Sequence, residues 1–89
     1  MEYENGLLML GLEIDRVMKL QGFSQAKLAE KICEVYPNRD NGKERNFKTT
    51  KNNISQIIRG VSIHADTLEK VILLLQIKRF DCKFEKIIQ

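Results

Sequence analysis

The chain has 89 residues, a net charge of +3, 43% hydrophobic residues and 30% charged residues. That length holds one small core rather than two, and the balance is that of a soluble globular domain. No apolar run approaches the ~20 residues of a membrane span, two cysteines cannot staple a disulfide scaffold, and a single histidine with no cysteine pair at ligand spacing argues against a structural zinc site.

The start, MEYENG, carries no basic flank before Leu7-Leu8-Met9-Leu10, so a secretory signal is not expected and a cytoplasmic protein is. Leu10, Ile14, Val17 and Met18 recur at helical spacing, predicting a first helix over 7–21 that Gly22 stops. Ser24 then stands as N-cap of a second helix with Leu28 and Ile32 on one face, which ends between Cys33 and Tyr36 ahead of Pro37. Residues 37–49 read as a basic loop. Asn41-Gly42 suits a tight hairpin, yet the flanks lack the alternation of strands. A third helix is expected from a Thr49 or Thr50 cap to Arg59, with Ile54, Ile57 and Ile58 inward and Gly60 as stop. Val61 to His64 form a link. A fourth helix, opening at Ala65 or Asp66, buries Leu68, Val71, Ile72 and Leu75. After Ile77 the pattern is ambiguous. Phe80, Cys82 and Phe84 alternate as in a strand, while Phe80, Phe84, Ile87 and Ile88 also fit a helix face. The expected fold is therefore all-α, with four helices followed by a C-terminal strand or fifth helix.

Charge is concentrated in the middle. From Arg39 to Arg59 the basic residues are Arg39, Lys43, Arg45, Lys48, Lys51 and Arg59, against only Asp40 and Glu44. A local basic island suits a polyanion, since each neutralised phosphate releases counterions; a solvated, solubilising loop would read the same way. At about 100° per residue, Asn52, Ser55, Gln56 and Arg59 fall on the side of the third helix opposite its isoleucines. Asn and Gln side chains pair with adenine edges, and Lys or Arg with guanine, in the major groove.

Catalytic signals are poor. His64 has no neighbouring nucleophile or paired acid, Cys33 reads as a small core residue, and no glycine-rich phosphate loop occurs. No enzyme activity, metal or cofactor is expected.

The run Leu10-Gly11, Ile14, Gly22-Phe23-Ser24-Gln25, Leu28-Ala29, Ile32 resembles the first half of the lambda-repressor/Cro-like (XRE-type) helix-turn-helix family. Thr50-Lys51-Asn52-Asn53-Ile54-Ser55-Gln56-Ile57-Ile58-Arg59-Gly60 resembles its recognition helix, and Asp66-Thr67-Leu68-Glu69-Lys70-Val71 its fourth helix. The resemblance covers roughly residues 10–77. It implies a helix-turn-helix domain over 1–77 and a dimerisation element over 78–89. It implies sequence-specific binding of double-stranded DNA as a transcriptional repressor of a phage, mobile element or bacterial chromosome. Thr50, Lys51, Asn52 and Gln56 take its base-reading positions. Gln25 takes a phosphate-anchoring position, with Asn53, Ser55 and Arg59 as further phosphate contacts; apart from the resemblance, the charge of the loop's Arg39, Lys43, Arg45 and Lys48 suits added phosphate or minor-groove contacts. A homodimer paired through Phe80, Cys82 and Phe84 is implied as well.

One departure matters. The family joins its second and third helices by a turn of about four residues, whereas here residues 34–49 fill that place. The alternative reading makes the scaffold a protein binder (an antitoxin, inhibitor or adaptor, with a toxin or other protein as partner) that uses this basic loop.

Overall fold

A computed structural model describes residues 2–76, with side chains from Gly6 onward. It is all helical apart from one isolated bridge, with α1 over Glu2–Leu20, α2 over Gln25–Val35, α3 over Phe47–Ile58 and α4 over Ala65–Leu75. The expected C-terminal element and the dimer contacts Phe80, Cys82 and Phe84 lie outside the described residues.

Each boundary has a local cause. After α1, the Gly22 amide donates to the Lys19 carbonyl and the Phe23 amide to the Met18 carbonyl. After α3, Gly60 and Val61 repeat the pattern onto Ile57 and Gln56. Both are Schellman closures, which satisfy carbonyls that a helix end otherwise leaves bare. Ser24 caps α2 as expected, its hydroxyl accepting from the Lys27 amide at 3.1 Å.

The third helix starts earlier than expected. Asn46, extended at φ −99°, is the cap in place of Thr49 or Thr50, and its side-chain oxygen accepts from the Thr49 amide at 2.9 Å. Asparagine outranks threonine as an N-cap. With α2 running to Val35, the connection shortens to residues 36–46.

That connection is an ordered hairpin. Asn38 bridges Glu44, the Arg39 amide donates to the Lys43 carbonyl, and Gly42 turns the tip at φ +86°, where a side chain would be strained. No row of alternating apolar residues marks its arms, because it packs through charge. The Arg45 side chain is 2% exposed and donates to the carbonyls of Tyr36 and Asn38 and to the Asp66 carboxylate at 3.3 Å. Lys70 reaches Asp66, Asp40 and Glu69 and lies 5.3 Å over the Tyr36 ring. Asp66 in α4 thus clamps the hairpin to the helix bundle. Partial burial pushes its carboxyl upward, but the Arg45 hydrogen bond and charge, the Asp40 amide and Lys70 together hold it below the ordinary value. The Glu69 hydrogen bond, against the cost of burial and with the charges of Glu69, Asp40 and Asp66, holds Lys70 above its ordinary value.

The core draws on every helix: Ile14 and Met18 from α1, Leu28, Ala29 and Ile32 from α2, Ile54 and Ile57 from α3, and Leu68, Val71 and Leu75 from α4. Leu10, Val17, Ile58 and Ile72 pack at its edge. Helix α1 meets the end of α3 with no side chain between them. A Cβ on Gly11 would lie 2.2 Å from the Ile58 carbonyl oxygen. At the far end of α1, the Gln21 side-chain amide donates to the Leu75 carbonyl at 2.7 Å, tying the last turns of α1 and α4.

Candidate functional site

Burial of Ile54 and Ile57 turns the opposite side of α3 outward. This side faces the first turn of α2, which Ser24 aims by capping it. Between the two lies an open groove of about 530 Å³, lined by Gln25, Lys48, Thr49, Lys51, Asn52 and Ser55. Five of these six were singled out from the sequence, and the fold brings residues from positions 25 and 48–55 to one place. Thr49 was expected only as a cap. Its amide is capped by Asn46, which leaves its side chain to line the groove.

The lining has a simple chemistry. It contains two lysines, two amides and two hydroxyls, and no acid. Among the described residues, Lys48, Lys51 and Arg59 make no ion pair, in contrast to Arg45 and Lys70. Arg59 is exposed at the C-cap of α3, and Lys43 is exposed beside the hairpin tip. The surface therefore combines uncompensated positive charge with groups that donate and accept hydrogen bonds at fixed helical spacing. Among the described residues no three His, Cys, Asp or Glu side chains meet as a metal site, and no helix is long and apolar enough to cross a membrane.

Three expected contact residues are placed elsewhere. Thr50 is buried, its hydroxyl donating to the Asn46 carbonyl at 2.7 Å with the Cys33 sulfur 3.8 Å away, so it stabilises the start of α3 and does not reach outward. Arg45 is buried on Asp66 and is unavailable to a phosphate. Asn53 is half-buried and donates to the Thr67 hydroxyl at 3.3 Å, joining α3 to α4. Each departs for the same reason: a polar side chain on the inner half of its element must satisfy itself within the protein.

Gln56 sits one turn beyond Asn52 on α3. It is half-buried, and its amide oxygen faces Nε2 of His64 in hydrogen-bond contact. His64 was expected in a turn with no functional role. It is the N-cap residue of α4, in the left-handed region at φ 45°, and its side chain makes no cap bond. No sequence signal links positions 56 and 64, because the contact depends on the path of the chain after Gly60.

No protein-family model, no curated protein and no solved structure matches the chain.

Proposed function

We propose that the protein binds double-stranded DNA, laying α3 in the major groove as the second helix of a helix-turn-helix and acting as a transcriptional repressor of the lambda-repressor/Cro-like kind. The observation that carries this reading is the acid-free groove between the start of α2 and the outer side of α3. Lys51 and Asn52, early in α3, and Gln56 a turn later are the base readers, the positions at which a recognition helix meets base edges. Gln25 at the α2 N-terminus, with Lys48 and Ser55 in the same groove, anchors phosphates, where backbone amides and the helix dipole favour an anion; Arg59 at the end of α3 and Lys43 at the hairpin tip are further phosphate contacts. One such module covers only about four to six base pairs, so a homodimer on a repeated half-site completes the affinity.

Selection from a random duplex library tests the reading. The wild-type protein should enrich a short motif. Asn52→Ala should lose preference at one position while still binding, and Gln25→Ala should weaken all duplexes alike. Enrichment of no motif, from protein that melts cooperatively, contradicts sequence-specific binding and shifts the search to a protein partner of the hairpin.

A further inference from the structure

Gln56 has an internal partner that bears on which base it reads, and the argument rests on the DNA-binding reading above. An amide oxygen carries no proton, so in the Gln56–His64 contact the ring Nε2 donates and the Gln56 oxygen accepts. His64 holds a left-handed backbone (φ 45°, ψ 70°), uncommon for any residue but glycine, and its ring is not spent on capping α4. The chain thus adopts a costly conformation in which the ring lies against the outer side of α3.

A free glutamine reads adenine with both ends of its amide, the oxygen accepting from N6 and the nitrogen donating to N7. The oxygen keeps a second lone pair, so a base amino group can still reach it, but only beside the imidazole that already occupies the first. The amide nitrogen, with its two hydrogens, is unencumbered. We propose that His64 is a specificity-determining positioning residue that presents Gln56 to DNA as a hydrogen-bond donor, selecting a base with acceptors in the major groove (guanine O6 and N7, or thymine O4) over adenine.

The test is the base preference at the position Gln56 reads, identified as the one whose preference disappears in Gln56→Ala. Wild-type protein should prefer guanine or thymine there. His64→Gly, which keeps the left-handed backbone without strain, should shift the preference toward adenine by about tenfold, within the range of one bidentate pair. It should leave affinity for random duplex unchanged. His64→Asn, also tolerant of that backbone, should shift it in the same direction, which separates loss of the ring from loss of the fold. In the free protein, nitrogen-15 NMR spectra should show the hydrogen on His64 Nε2, and the Gln56 side-chain amide signals should move in His64→Gly. Adenine preference in the wild type, or an unchanged preference in both variants, overturns the proposal while leaving DNA binding intact. Failure of the wild type to bind any duplex overturns both.

Discussion

At the scale of single residues, two positions govern more than their size suggests. Gly11 lets α1 lie directly on the last turn of α3. Alanine is favoured over glycine by about 1 kcal/mol inside a helix, but here its Cβ would sit 2.2 Å from the Ile58 carbonyl oxygen and 2.6 Å from that of Ile57. Backbone cannot step aside as a side chain can, so overpacking, at about 3 kcal/mol, wins. Gly11→Ala should lower the thermal midpoint by roughly 10 °C or more. Gly6→Ala, in the same helix with nothing within 4 Å, should leave it unchanged or raise it; calorimetry on both variants separates packing from propensity. The resemblance to a known family included Gly11 without a reason for it, and the reason is a contact between residues far apart in the chain.

Asp66 is the second such position. Its carboxyl is held below the ordinary value in the folded state. The unfolded chain therefore takes up this proton first, and the contribution is present above about pH 4, the ordinary aspartate range, and lost as pH falls through the lower folded value. Lys70, held above its ordinary value, contributes below about pH 10 and loses that contribution as pH rises through the higher folded value. Urea unfolding of wild type and Asp66→Asn should give a stability difference that is constant near neutrality and shrinks below about pH 4. A difference independent of pH down to acid unfolding would show that Asp66 does not hold the clamp.

At the scale of elements, the hairpin over 36–46 separates two kinds of basic residue that look alike in the sequence. Arg45 is internal and paired, whereas Lys43 is exposed. Arg45→Ala should cost about 2 kcal/mol of stability, less than a fully buried pair because Asp66 keeps Lys70. Lys43→Ala should leave stability within about 0.5 kcal/mol and weaken binding to every duplex, with a shallower salt dependence. Denaturation and binding curves on the two variants check this assignment. The helices were legible beforehand because apolar spacing, capping residues and glycine stops are local signals, and they placed α2 and the start of α4 within a residue or so. The hairpin was legible only at its Asn41-Gly42 turn, since its anchors Asp66 and Lys70 lie some twenty residues further on and its arms carry no apolar alternation. The same limit explains Arg45 and Asn53, whose partners Asp66 and Thr67 are distant in the chain. Thr50 is different: it lies one turn before Ile54, on the inward side by helical spacing, and its contact role came from the family resemblance.

At the scale of the whole molecule, four helices around one core leave an acid-free groove, and the basic island of the sequence sends Lys48 and Lys51 to that groove and Arg45 to the clamp beneath the hairpin. This division sharpens the electrostatic expectation. With Arg45 internal, five cations of the island remain, and four of them, Lys43, Lys48, Lys51 and Arg59, belong to the proposed interface, about four charges set against phosphates. The slope of log affinity against log salt is about −0.9 per phosphate neutralised. The most direct measurement is fluorescence anisotropy of a labelled duplex titrated with the protein at 50 and 150 mM salt. The DNA-binding account predicts saturable binding that weakens by about 50-fold across that range, and a smaller loss in Lys51→Ala. Absence of binding at the lower salt, or binding indifferent to both salt and Lys51, would contradict it.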